Sequence, residues 1–327
     1  MVAFRQKNIK SQSVLNFKGN KGLTKTSLLL TIFAGKSYIM NSWAIYHSHT
    51  WFCDGAEPPE PYIKEAIKLG LSAYGYSSHA PVPFASGWNM ADEKLPEYLK
   101  SVNEVKEKYS QQIQVYTGME IDYIPGIAGR SKHLMKNTAL DYFIGSIHYL
   151  GRLSSGEYWN IDTSQELFVT GLKELFNNDI RKAVTLFWEI TRQMIEEDRP
   201  DIIGHMDKIK MFNKRGLFFD ENESWYRDQV ELTLAIIKQK GCIVEINTRG
   251  FYRYNRPDLY PGEQIIRQLA KLDIPVLISS DAHKPEEILL GMLYTVPILK
   301  QSGIKKLAAL YNGHWNEYEY SEKGYSF

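Results

Sequence analysis

The chain has 327 residues, 43% of them hydrophobic, which is enough to bury a large core and to hold a single α/β barrel of about 250 residues. Its 39 basic and 38 acidic residues leave a formal charge of +1, so no global field recommends a nucleic-acid or membrane partner, and small substrates stay open. Cys53 and Cys242 are too few for a disulfide framework and read as reduced thiols, which favours the cytoplasm.

Near the N-terminus, Lys21 and Lys25 precede the apolar stretch Leu28–Gly35, a superficial likeness to a signal peptide. The stretch is short of the roughly 20 residues that cross a bilayer, and no second candidate follows. The expectation is a poorly ordered or non-native extension over residues 1–39, of the kind an upstream start codon adds, with residues 40–327 forming one barrel domain. From Trp43 onward, short apolar runs alternate with longer amphipathic stretches, the pattern of βα units and a largely parallel sheet. The run from Trp43 to Tyr46 leads into His47 and His49. A helix is predicted from Pro59 to Leu69, with proline in its first turn, and Ala73–Tyr76 forms a strand ending near His79.

Leu95, Tyr98, Leu99, Val102 and Val105 lie at helical spacing within Asp92–Tyr109, and Gln114–Gly118 returns as a strand before Glu120 and Asp122. The run Tyr142–Ile147 leads to His148, Ile202–Gly204 to His205 and Cys242–Ile246 to Asn247. Between Gly151 and Arg199 the spacing predicts a polar loop and two helices, the first announced by Thr163 with Glu166 three residues on. Asp220–Lys240 and Gly262–Leu272 are outer helices, and Pro275–Ser280 is a last strand running into Asp281 and His283. The sum is about seven strands, and in a parallel barrel the C-terminal strand ends gather on one face.

Most of the eight histidines therefore stand where such ends converge. His47 and His49, two apart on extended chain, project to one side, and Asp281 and His283 repeat that spacing at the other end of the sequence. Imidazole with carboxylate suits Zn²⁺, Mn²⁺ or Fe²⁺ better than Mg²⁺ or Ca²⁺. Six histidines with Glu120, Asp281 and Asp54 exceed what one ion takes, so two or three divalent ions bridged by carboxylates are expected.

His47-Ser48-His49-Thr50 with Asp54-Gly55, Ser78-His79-Ala80-Pro81, Gly118-Met119-Glu120-Ile121-Asp122, Gly145-Ser146-Ile147-His148, Gly204-His205-Met206-Asp207 and Ser280-Asp281-Ala282-His283 together resemble the polymerase-and-histidinol-phosphatase (PHP) superfamily, nearest its monofunctional histidinol-phosphatase branch. The likeness spans Tyr46 to Leu299. It implies a distorted seven-stranded (β/α) barrel, TIM-like, with a trinuclear site at the C-terminal strand ends. By that likeness His47, His49, Glu120 and Asp281 bind one ion, Glu120, His148 and His205 a second, and His79, His283 and Asp54 a third, although some relatives carry a histidine near the place of Asp54. It further implies hydrolysis of L-histidinol phosphate, with Asp281 or His205 managing protons.

For the phosphate, Arg249 is the first candidate and Arg253 stands behind it, because both follow a strand that ends at the site mouth. Lys208 and Lys210, close after His205, read equally as phosphate-reaching cations or as parts of a helix start or surface ion pair. Glu245 reads equally as a core hydrogen-bonding group or as support for a ligand. Phe251, Tyr252 and Tyr254 offer walls for an imidazole ring, while His133 reads as an exposed helix residue and His314 as part of a C-terminal turn. Two other functions remain in play: a PHP phosphoesterase for a phosphotyrosine protein, a nucleotide or another small monoester, and a non-catalytic metal-binding scaffold. A scaffold would be marked by missing ligands, and none is missing.

Overall fold

A computed structural model of the chain describes residues 42–253 and 258–327. The expected N-terminal extension and Tyr254 lie outside them. Seven parallel strands form the centre in the order β1 (Ala44–Ile45), β2 (Ala73–Tyr76), β3 (Gln114–Asp122), β4 (Tyr142–Ser146), then β7 (Ile202–Ile203), β8 (Ile243–Asn247) and β9 (Val276–Ser279). Between β4 and β7 a hairpin of β5 (Tyr149–Arg152) and β6 (Tyr158–Asn160) leaves the sheet. The sheet closes on itself where Ser48 bridges Ala282 in parallel and the His49 N–H donates to the Ala282 carbonyl at 2.8 Å. These elements form the expected seven-stranded α/β barrel.

The helices predicted with bounds fall close to them, two more lie in the Gly151–Arg199 interval as expected, and those at Arg249–Arg253 and Met292–Gln301 were not foreseen. In chain order the helices are α1 (Pro59–Lys68), α2 (Leu95–Tyr109), α3 (Gln165–Phe176), α4 (Ile180–Glu197), α5 (Ser224–Lys240), the short α6 (Arg249–Arg253), α7 (Glu263–Lys271) and α8 (Met292–Gln301). Most bury one apolar face against the sheet; in α4 it carries Val184, Phe187, Trp188, Thr191, Met194 and Ile195. The cap of α3 is Ser164 rather than Thr163: Ser164 has extended backbone, and its hydroxyl accepts the Leu167 N–H at 3.2 Å.

Inside the barrel, Tyr142 donates its hydroxyl hydrogen bond to the carbonyls of Tyr46 (2.5 Å) and Tyr76 (3.0 Å). Its ring needs the space that two glycines leave, because a Cβ at Gly75 or Gly118 would sit 2.4 Å from it. After α8 the chain adds an antiparallel sheet that sequence reasoning did not foresee: β10 (Lys306–Tyr311), β11 (His314–Ser321) and β12 (Gly324–Tyr325). Trp315 of this sheet packs against Tyr46 and Tyr142 at ring distances of 5.2 and 6.2 Å. The sheet thus faces the N-terminal strand ends, where a groove runs past Arg199–Asp201, Lys240–Ile243 and Pro275. The opposite mouth is left to the polar strand ends.

Candidate metal centre

Glu120 stands at the centre of the polar cluster. It lies within β3 rather than after it, because that strand continues to Asp122. Its Oε2 is 3.1 Å from His47 Nε2, 3.5 Å from His49 Nε2 and 3.0 Å from His79 Nδ1. Its Oε1 is 2.9 Å from His205 Nε2 and 3.8 Å from His148 Nε2, and accepts the Ser146 hydroxyl at 2.6 Å. One carboxylate therefore meets imidazoles delivered by five different positions, all of them buried.

Asp281 and Asp54 extend the cluster outward. Asp281 Oδ1 lies 3.2 Å from His49 Nε2, 3.8 Å from His47 Nε2 and 3.4 Å from His283 Nδ1. Asp54 meets His283 Nε2 at 3.1 Å, His79 Nε2 at 3.7 Å and His49 Nδ1 at 3.8 Å. All nine residues expected to bind ions are brought together. The reason expected for Asp281 and His283 is corrected, however: β9 has ended at Ser279, and Asp281 takes the left-handed conformation (φ 54°), so a backbone turn rather than strand alternation aims both side chains inward.

A set of polar groups behind the cluster fixes ring orientation. Glu245 Oε1 accepts from His47 Nδ1 at 2.5 Å and from the Ser279 hydroxyl, while Oε2 accepts the His205 backbone N–H at 2.7 Å and Asn247 Nδ2 at 3.1 Å. Asp122 holds His148 Nδ1 at 2.7 Å. A carboxylate behind an imidazole fixes which nitrogen presents its lone pair to the site. Burial opposes charge on His148, but Asp122, aided by Asp162 and Glu120, raises its pKa to about 9. Burial and the neighbouring His283 lower His49 to about 4. Burial also opposes charge on Glu120, yet the adjacent His47 and His79 hold it well below the usual carboxylate range.

Does this set suit metal ions? His49 Nε2 and His79 Nδ1 are buried without a hydrogen-bond partner although carboxylate oxygens lie close by. Buried polar atoms normally find partners, so two such nitrogens among carboxylates suit cation ligands. Nitrogen and oxygen atoms of His49, Asp54, His79 and His283, of His47, His49 and Glu120, of His47, His205 and Asp281, and of His79, Glu120 and His148 lie within 4.8 Å of one another in each group. Donors of this chemistry and spacing fit divalent ions.

A cavity of about 250 Å³ opens beside the cluster. Arg249 and Arg253 both line it, as do Lys208, Trp88, Asn160, Asp162 and Thr163. Arg249 is buried and donates from Nη1 to the Asp281 carbonyl at 2.6 Å, whereas Arg253 is exposed. The two lysines divide: Lys208 faces the cavity, 3.4 Å from Asp162, while Lys210 is paired with Asp207 at 2.9 Å and Asp258 at 3.2 Å. Tyr252 packs over Arg249 and donates to the Ser280 carbonyl, so it braces the loop rather than walling the cavity. His133, 2.8 Å from Asp92, and His314, which opens β11 after the turn, lie off the site. Sequence reasoning missed Trp88, whose ring meets His79 and His148 edge-on, and Asp162.

A parallel barrel with imidazoles and carboxylates gathered at the C-terminal strand ends defines a metal-dependent barrel protein. The PHP domain matches residues 46–249, and the chain belongs to that family. It is 28% identical over 245 residues to a Deinococcus radiodurans protein named "Probable histidinol-phosphatase", covering 74% of this chain and 86% of that one. The histidinol-phosphatase of Bacillus subtilis is 26% identical over 259 residues, covering 74% and 94% of the two chains. The histidinol phosphate phosphatase of Lactococcus lactis, crystallised with zinc, L-histidinol and phosphate, shares the fold with a TM-score of 0.62 at 17% identity, over 84% of this chain and 99% of the other.

Proposed function

We propose that this chain is a divalent-metal-dependent phosphomonoesterase that hydrolyses L-histidinol phosphate to L-histidinol and phosphate in histidine biosynthesis. The observation that carries the reading is the convergence of six histidines on Glu120, Asp281 and Asp54 beside a small cavity, in a family whose named relatives are histidinol-phosphatases. By the family likeness His47, His49, Glu120 and Asp281 would hold one ion, Glu120, His148 and His205 a second, and His79, His283 and Asp54 a third; the last set, joined by His49, is one of the observed groups, while His205 groups with His47 and Asp281, and His148 with His79 and Glu120. When bound, such ions lower the pKa of water toward neutrality and offset charge on phosphoryl oxygens and the leaving alkoxide. Zinc, named with the Lactococcus lactis protein, suits these donors, as do manganese and ferrous iron.

The chain's own groups supply the rest. Arg249 reaches the phosphate as a rigid cationic fork whose position is fixed by the Asp281 carbonyl and Tyr252, with Arg253 at the rim. Asp281 and His205 both line the cavity, and one or the other would take and return protons. Among the described residues no helix is long and apolar enough to cross a membrane, and Cys53 and Cys242 are unpaired, which supports a cytoplasmic setting.

Phosphate release from L-histidinol phosphate is the test, run beside phosphotyrosine, nucleotide and sugar monoesters with Mn²⁺ or Zn²⁺ and again with chelator. The expected result is a chelator-sensitive preference for histidinol phosphate. Metal-dependent activity favouring another ester would overturn the substrate, and inactivity on all of them would overturn the enzyme reading.

A further inference from the structure

One carboxylate in the cavity is outside the proposed ion set. Asp162 follows the β5–β6 hairpin, and its backbone N–H donates to Asn160 Oδ1 at 2.9 Å in a tight turn. Its carboxylate lines the cavity, with the side chain 20% exposed. Both of its close contacts fall on Oδ2, which lies 3.4 Å from Lys208 Nζ and 4.0 Å from His148 Nε2. A carboxylate accepts about four hydrogen bonds, so Asp162 has capacity for a further cation without losing Lys208.

We propose that Asp162 is a specificity-determining residue that receives the substrate's ammonium group while Lys208 beside it attends the phosphoryl group. The inference rests on the histidinol phosphate reading. In that ester the ammonium stands three bonds from the ester oxygen. With the phosphoryl group against the imidazole cluster, an ammonium three bonds from the ester oxygen can reach the His148 edge, where Asp162 Oδ2 lies 4.0 Å from Nε2. The contact is a charge-assisted hydrogen bond in a half-buried setting. An ester without the cation leaves Asp162 with Lys208 as its counter-charge, and the phosphate draws on that same lysine, so the carboxylate disfavours such an ester.

The test compares L-histidinol phosphate with 3-(imidazol-4-yl)propyl phosphate, the same ester lacking the amino group, on the metal-loaded enzyme. In Asp162→Asn the ratio of kcat/KM between the two esters is expected to fall about 10- to 100-fold, chiefly through KM for histidinol phosphate. Asp162→Glu should restore part of the ratio. A wild-type ratio in Asp162→Asn, or an equal loss of kcat on both esters, would overturn the inference and leave the substrate reading standing. A wild-type enzyme that hydrolyses other monoesters but not histidinol phosphate would overturn both.

Discussion

Glu245→Gln changes one atom in a fully buried side chain, and the outcome follows from the donors around it. His47 Nδ1 and the Ser279 hydroxyl converge on Oε1, and the His205 N–H and Asn247 Nδ2 converge on Oε2. All four are donating, so a glutamine must point its NH₂ at two of them. The His205 N–H is backbone and cannot turn, which drives the NH₂ to the Oε1 side. There the serine can rotate its lone pair into place, but His47 can accept only by moving its proton to Nε2. That nitrogen faces Glu120 at 3.1 Å and Asp281 at 3.8 Å, and it loses the lone pair needed for an ion. Losing a partner of this kind weakens metal affinity about 10- to 100-fold, or roughly 1.4–2.8 kcal/mol. Metal content after dialysis against graded chelator, with ¹⁵N imidazole shifts to report the tautomer, measures it directly. An unchanged metal isotherm with His47 still carrying its proton on Nδ1 would refute the reasoning.

Arg249→Ala should raise KM for histidinol phosphate about 10- to 100-fold, the worth of one charge-assisted hydrogen bond, and kinetics equal to wild type would remove Arg249 from the site. Gly75→Ala places a Cβ 2.4 Å from the Tyr142 hydroxyl in a filled interior. It should cost about 1–3 kcal/mol in chemical denaturation, and an unshifted midpoint would show that the ring moves aside freely.

The histidine trail was legible because each barrel strand is a short apolar run that stops at a polar residue, and a parallel barrel brings those stops to one face. The supporting carboxylates were legible in principle. Asp122 is two residues from Glu120 on β3, and Glu245 is two residues from Asn247 on β8, so strand alternation sends each pair to one side. The C-terminal sheet also had a signal: Asn312-Gly313 between two alternating runs is a strong hairpin mark, and both residues adopt positive φ, 53° and 78°. Asp162 and Trp88 had none. They come from connections whose path is set by the β5–β6 hairpin and by stacking of Trp88 on Tyr149, and neither leaves a periodic trace.

Closure of the barrel gives metal binding a structural consequence. Among the described residues, the segments just past the first and last strands meet through an isolated bridge, Ser48 to Ala282, flanked by His47 and His49 on one side and by Asp281 and His283 on the other. An ion shared by these residues would tie together segments more than 200 residues apart in sequence, so it would stabilise the folded chain and have little to hold in the unfolded one. At an ion concentration 100 times Kd, the linkage is worth about 2.7 kcal/mol, which for a domain of this size is roughly 4–5 °C in Tm. Chelation should therefore lower Tm by that amount, reversibly on adding metal back. His49→Ala, which removes a donor common to two of the ligand groups, should be inactive in metal-replete buffer, fold with an unchanged far-ultraviolet circular dichroism spectrum, and show a smaller metal-dependent rise in Tm. Full activity in His49→Ala, or a wild-type Tm indifferent to chelator, would mean that the cluster at the barrel seam does not hold the ions.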